Sequence, residues 1–444
     1  MNFFNGTATI NSDNQLEIGG LSVPELAARF GTPLYVMDEM LIRQNCRLWK
    51  QATANYGTVA YAAKAFCTKA MCRLIHQEGL ALDVVSGGEL ATALAADFPA
   101  QLIYFNGNNK SAAELRLAIQ AQVGRLVVDN FLELEMIEQI AARLKQQVDI
   151  LLRICPGIEA DTHEYIQTGQ LDSKFGFTLA NGQAMAAVEA ALSKRHLRLR
   201  GLQYHIGSQI FALDSHAAAA KITVSFMATI YKKFGLTLAE LDVGGGLGIS
   251  YLPDDNPAGV SDLVQTVVHT IRTHCATSGL AFPTLVFEPG RSIVGPAGWA
   301  VYRVGARKEI PGVRTYIAVD GGLFDNPRPA LYGSQYFAFV ANKANDPAEE
   351  TVTIAGKCCE SGDILIKDIA LPRLEPGDII AMPSTGAYQY TMASNYNRFC
   401  RPAVVFVNNG EAYTVVKRET IEDLLRNDLI PRAWDKEHLL RAAR

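Results

Sequence analysis

Lys64 stands at the end of a short apolar run, Thr58-Val-Ala-Tyr-Ala-Ala. Such a run reads as a buried strand, and an ammonium carried into that setting has two chemical uses. It pairs with an acid, or its lowered pKa leaves an amine free to act as a nucleophile. A lysine snorkelling from a strand end is the plain alternative. Further along lie His205, the run Gly244-Gly245-Gly246-Leu247-Gly248, and Glu288-Pro289-Gly290-Arg291. The glycines let backbone approach an anion closely and offer it several N–H groups. Taken alone, Glu288 also fits an ion pair with Arg291, and His205 a satisfied core histidine.

The elements that would position these residues follow a regular pattern. Residues 59–63, 81–85, 102–105, 125–128, 150–154, 201–204, 241–243 and 285–287 read as apolar strands, and stretches such as 111–122, 132–145 and 215–233 carry the helical period. Alternating strand and helix implies a parallel sheet, and eight repeats predict closure into an α/β fold of the (β/α)8 TIM-barrel type. A barrel of this kind keeps its chemistry at the C-terminal ends of its strands, with phosphate held after the seventh and eighth. On that frame Lys64 ends the first strand, and Asp83 with Ser86-Gly-Gly-Glu89 the second. Asn106-Gly107-Asn108 follows the third, and His205-Ile-Gly-Ser208-Gln209 the sixth. The glycine run and Glu288–Arg291 follow the last two. A lysine, a carboxylate, a histidine and a phosphate cradle on one rim are the parts that pyridoxal phosphate needs.

Before the barrel pattern come a short helix over Val23–Phe30 and a strand-like segment at 33–37. After Arg291 the style changes to short β-type runs (316–319, 352–354, 379–382, 403–407, 412–416) divided by Gly, Pro and Asp turns. The expected division is a barrel over 35–290, with 1–34 and 291–444 forming an antiparallel β-rich domain that contributes to the substrate site and a dimer interface.

Composition narrows the partners. Hydrophobic residues make up 49% of the 444 and charged ones 19%, so a large core is available. A formal net charge of −4 gives no electrostatic reason to expect nucleic acid or an anionic membrane. The basic run Lys194-Arg195-His196 with Arg198 and Arg200 reads as a solvated feature where a helix enters a strand. The eight cysteines show no zinc-ligand spacing, so no metal is expected. No charged-then-apolar leader follows Met1, and no run of about 18 apolar residues occurs, which predicts a reduced, cytoplasmic protein.

The ordered motifs resemble those of the fold-type III pyridoxal-phosphate-dependent decarboxylases, from about Gly31 to Pro402. The matching pieces are Tyr61-Ala-Ala-Lys64-Ala, Asp83-Val-Val-Ser86-Gly-Gly-Glu-Leu, His163-Glu-Tyr-Ile-Gln-Thr-Gly and Ser173-Lys-Phe-Gly. They continue through His205-Ile-Gly-Ser208-Gln, Asp242-Val-Gly-Gly-Gly-Leu-Gly-Ile and Glu288-Pro-Gly-Arg291 to Asp325-Asn-Pro-Arg328-Pro-Ala-Leu-Tyr332. Cys359-Glu360-Ser-Gly-Asp and Gly386-Ala-Tyr388, leading to Tyr396-Asn, complete the series. Phe66 departs from the pattern, in which many relatives carry Asn.

The resemblance implies that Lys64 carries the cofactor as a Schiff base, that His205 stacks on its ring, and that Glu288 contacts the ring nitrogen. It implies that Asp83, Ser208, Gly244, Gly245, Gly246, Pro289, Gly290, Arg291 and Tyr388 surround the cofactor. Arg291, Arg328, Tyr332, Glu360 and Tyr388 are implied to bind substrate, and Cys359 to donate a proton. Cys359 and Glu360 are implied to reach the partner's site in a homodimer. Within the family the segments point to the branch that converts meso-diaminopimelate to L-lysine and carbon dioxide. Arginine forks suit its distal carboxylate and Glu360 its distal ammonium. Decarboxylation of ornithine, arginine, carboxynorspermidine or a carrier-bound amino acid is the rival on the same scaffold. A non-catalytic regulatory relative is the rival from another class. Arg328 between prolines also fits a surface turn, and Cys358-Cys359 a pair of buried thiols. Glu360 and Asp363 argue against full burial of that turn, and neighbouring carboxylates keep a thiol protonated.

Overall fold

A computed structural model describes residues 4–157 and 173–434. Its first large sheet closes on itself. Gly57–Ala62, Ala81–Val84, Ile103–Phe105, Arg125–Val128, Val148–Cys155, Leu197–Gln203, Glu240–Asp242 and Thr284–Phe287 pair in parallel, each with the next. The last strand returns to the first, Leu285 opposite Gly57 and Phe287 opposite Val59. The expected eight-stranded barrel is present. The two-residue strand Phe177–Thr178 adds to the outer side of Val148–Cys155.

The strands alternate between two apolar environments. Ala60, Ala81, Tyr104, Val127, Leu151 and Val286 form a separate buried cluster. Their strand neighbours Val59, Tyr61, Leu82, Leu126 and Leu152 pack in the larger core with the helices. A strand buried on both faces reads as a continuous apolar run, which is why these segments stand out in sequence. The helices start on side-chain caps. Ser111 and Glu114 form a reciprocal capping box before Ala112–Ala121, and Asn130 caps Phe131–Leu144. The basic run at 194–200 meets acids: Lys194 pairs with Glu135, His196 with Glu138, and Arg198 with Asp149 at 2.6 Å.

The second large sheet is built around Gly298–Ile310, a strand of 13 residues. It pairs antiparallel with Arg314–Val319, Ile379–Met382 and Leu34–Asp38. The antiparallel expectation holds for most pairings, but two are parallel: Tyr316 lies opposite Thr353, and Val404 opposite Tyr35. Residues 35–38, expected with the barrel, lie in this second sheet. Every residue of Leu34–Asp38 is buried. Leu34 and Val36 face one core with Trp299 and Val405, while Tyr35 and Met37 face the other. A run apolar on both sides satisfies either sheet, so sequence pattern does not assign it.

The sheets meet beside the first barrel strand. Tyr388 donates its backbone N–H to Ala65 O at 3.0 Å, and Gly386 donates to Gly295 O at 3.1 Å. Among the described residues, no helix is long and apolar enough to cross a membrane, and no group of three or more His, Cys, Asp or Glu could hold a metal ion.

Candidate active site

A cavity of about 480 Å³ opens at the C-terminal ends of the barrel strands, beneath the second sheet. Lys64 lines it from the one-turn helix Ala63–Ala65 that follows Gly57–Ala62. The turn is pinned from both sides. Ala62 N–H donates to Pro289 O at 3.0 Å, and Tyr61 Oη donates to Phe66 O at 3.0 Å. Lys64 itself is exposed to the cavity, not buried as expected. The buried lysine of this rim is Lys110, whose ammonium donates to Gly107 O, Val127 O and Glu133 Oε1 at 2.8, 2.7 and 2.6 Å. Burial pulls its pKa down and Glu133 pulls it back, a fully satisfied ion pair that holds the Gly107–Asn108 loop. Phe66 does not line the cavity. Its ring packs against Tyr390 and Phe406 at 6.2 and 6.4 Å, in the seam between the sheets.

The floor of the cavity is acidic and amide-rich. Glu288, almost wholly buried, accepts from Asn106 Nδ2 at 2.8 Å and from Gln203 Nε2 at 2.9 Å. Asn106 Nδ2 also donates to Asp83 Oδ1 at 2.7 Å. Burial, then Glu288, push the Asp83 carboxyl well above its ordinary range, while Lys64 and Asn106 pull it down. Asp83 is held by Asn106 and, like it, does not line the cavity. Glu288 does not turn to Arg291. That guanidinium donates to Ser208 Oγ at 2.8 Å and to the Tyr251 hydroxyl.

His205 sits half-buried on the cavity wall, its Nδ1 accepting the Gly245 N–H at 3.3 Å. Desolvation, then the charges of Lys64 and Arg153, hold its pKa well below the usual imidazole value, so the ring is neutral. The glycine turn beside it has no room for side chains. A Cβ on Gly244, at φ +66°, would lie 2.4 Å from Tyr204 O, and one on Gly245 2.2 Å from Glu288 O. Gly245, Gly246, Pro289, Gly290, Arg291 and Ser208 line the cavity; Gly244 lies behind them.

Both predicted arginines are buried and reach the cavity, Arg291 from the turn Arg291–Val294 and Arg328 from Arg328–Tyr332. Their guanidinium carbons lie 4.8 and 5.7 Å from the centre of the Tyr388 ring, and Arg328 also stacks on Tyr332 at 5.0 Å. Each keeps a buried Nε with no acceptor, an orphaned donor that an anionic ligand would satisfy. Together with an exposed amine, a neutral imidazole and a buried carboxylate, this donor set fits pyridoxal phosphate and an amino-acid substrate.

Cys359 and Glu360 are not brought to this cavity. They occupy an exposed turn, with Cys359 N–H donating to Asn397 Oδ1 at 2.7 Å and Tyr396 Oη to Glu360 at 3.4 Å. The buried thiol is Cys358, pushed up to about 12 by burial and then by Asp363, which accepts its N–H at 2.8 Å. The His163 motif lies outside the described residues. Sequence reading missed Trp49, Arg153 and Met392 on the cavity wall, while Lys174 and Phe175 of the Ser173 motif do reach it. Arg153 carried a usable signal, a lone cation inside the apolar run Val148–Cys155, and it stacks on Phe175 at 4.3 Å.

Residues 39–295 match the family model described as the pyridoxal-binding domain of pyridoxal-dependent decarboxylases. The chain is 50% identical over 430 residues to diaminopimelate decarboxylase of Bacillus subtilis, covering 96% of this chain and 98% of that protein. It is 48% identical over 437 residues to the same enzyme of Synechocystis sp., covering 96% and 92%. Among solved structures, M. jannaschii diaminopimelate decarboxylase in complex with L-lysine aligns with a TM-score of 0.90 at 34% identity, over 96% of this chain and 98% of that one. The lysine/ornithine decarboxylase of Vibrio vulnificus with putrescine aligns at 0.75 and 25%, over 87% and 97%.

Proposed function

The chain belongs to the diaminopimelate decarboxylases, within the pyridoxal-dependent decarboxylases, and on that premise we propose that its cavity converts meso-diaminopimelate to L-lysine and carbon dioxide. The observation that carries this reading is the meeting of Lys64 and Glu288 in one cavity with two buried arginines. Pyridoxal phosphate supplies the electron sink that lets carbon dioxide leave. Lys64 is its covalent anchor. Glu288, each of its oxygens held by one amide donor, would accept from the ring nitrogen, and neutral His205 would face the ring. The Gly246 backbone and the Gly290–Arg291 segment, with Ser208 and Tyr388, would hold the phosphate, while Gly244 and Gly245, their N–H groups given to Asp242 and His205, shape the turn. Pro289 lines that site, and Asp83 supports it from behind through Asn106.

Arg291 and Arg328 orient substrate carboxylate, with Tyr332 and Tyr388 closing the wall. Glu360 suits the distal ammonium, and Cys359 holds the proton for the carbon that has lost carbon dioxide. Both sit on an exposed turn away from this chain's own cavity, which supports a homodimer in which Cys359 of the partner subunit completes each site. A cytoplasmic setting, where the free thiols stay reduced, suits that role.

Carbon dioxide release from meso-diaminopimelate, with and without added pyridoxal phosphate, tests the reading. L-lysine should appear and depend on the cofactor. Release from ornithine or arginine alone would assign another branch of the family, and neither turnover nor cofactor uptake would mark a non-catalytic relative.

A further inference from the structure

Asp242 ends the strand Glu240–Asp242 and is fully buried. Its Oδ1 accepts the Gly244 N–H at 2.9 Å, while Oδ2 has no donor. The carboxyl that acts on Asp242 most strongly is that of Glu288, also buried and tied to the same Gly244 through its own N–H. Both Glu288 oxygens already accept amide N–H groups, from Asn106 and Gln203. Two carboxyl groups face each other in a dry site only when a proton lies between them. The better-supplied acceptor is Glu288, so the proton belongs on the oxygen that has nothing else.

We propose that Asp242 is a positioning residue: it keeps a proton on Oδ2, donates it to Glu288, and so couples the carboxylate under the cofactor ring to the glycine turn that holds the phosphate. The same two segments are joined again where Glu288 N–H donates to Gly244 O at 2.8 Å. Burial, then Glu288, push the Asp242 carboxyl well above its ordinary range. The other groups facing it are Asp83 and the phenols of Tyr204 and Tyr104, which add no positive charge. The charge of Lys64 bears on Asp83, and Arg125 is held by Glu240 at 2.8 Å. With the proton on Asp242, the charge of this pair rests on Glu288, where it meets the ring nitrogen.

The inference rests on the proposed role of Glu288, and its test separates the two. In the full-length protein Asp242→Asn preserves both bonds without a titrating group. Its dissociation constant for pyridoxal phosphate, read by absorbance titration, should stay within about threefold of the native value. The apo-protein melting temperature should rise relative to native, and the gap should widen from pH 5 to pH 8. The sign follows from linkage: a carboxyl whose folded pKa is raised loses stability as pH climbs above its unfolded value, and Asn removes that loss. Asp242→Ala, which cuts both bonds, should weaken binding at least tenfold. A tenfold loss in the Asn variant, a pH-independent gap, or native-like binding by the Ala variant overturns the role of Asp242 alone. Failure of the native protein to take up pyridoxal phosphate overturns the reading of Glu288 with it.

Discussion

Gln203 and Glu288 meet side chain to side chain at 2.9 Å, although 85 residues separate them in sequence. The contact fixes one carboxylate oxygen of Glu288 from the sixth barrel strand, while Asn106 fixes the other from the third. Glu288→Gln removes the charge but keeps the shape. Turnover should fall by about 10² or more, the scale for losing one buried electrostatic contact at a reacting centre, with KM changed far less. Steady-state kinetics on meso-diaminopimelate provide the measurement, and a kcat within threefold of native would reject the contact with the ring nitrogen.

Lys64→Ala should abolish covalent attachment. Borohydride reduction followed by peptide mapping should label Lys64 in the native protein and no lysine in the variant. Labelling of Lys110 or Lys174 would show that the wrong amine was chosen.

Arg328→Lys keeps a positive charge but loses the planar fork and the stack on Tyr332. A loss of about 1.5–3 kcal/mol, the scale of a hydrogen bond to a charged group, corresponds to roughly a tenfold to hundredfold drop in kcat/KM. Unchanged kcat/KM would place the substrate carboxylate elsewhere.

His216 is buried, and desolvation lowers its pKa to about 4. The folded value lies below the unfolded one of about 6.5, so between these the unfolded chain binds the extra proton and stability falls as pH falls. The full loss is about 3 kcal/mol below pH 4. Denaturant titrations of native protein and His216→Leu across pH 4 to 7 check this; the variant should show a shallower acid limb.

Mixing inactive Lys64→Ala and Cys359→Ala proteins tests the shared site. If each cavity takes Cys359 of the partner subunit, random re-association restores about a quarter of native activity. Absence of any recovery, with hybrid dimers shown by native mass spectrometry, would keep Cys359 within its own chain's site or outside the chemistry.

The barrel was legible because its strands are apolar on both faces and alternate with helices of regular period. The residues that end those strands were legible for a related reason: a charge or a glycine at the close of a buried run is conspicuous. What could not be read was which groups would face each other across the barrel. Asn106 follows the third strand and Gln203 and Asp242 end the sixth and seventh, and only closure brings them to Glu288. Lys64 was misjudged in burial because its short turn lifts the side chain off the strand and into the cavity. The parallel pairings of the second sheet escaped for want of any local signal, since period-two alternation does not encode strand direction.

Leu34–Asp38 is made well before either of its neighbours, Gly298–Ile310 and Ala403–Asn408. Throughout the interval a largely apolar ribbon with two open edges waits unmatched, a species prone to associate with other nascent chains. Pairing a segment with strands made so much later predicts that the nascent chain leans on chaperones.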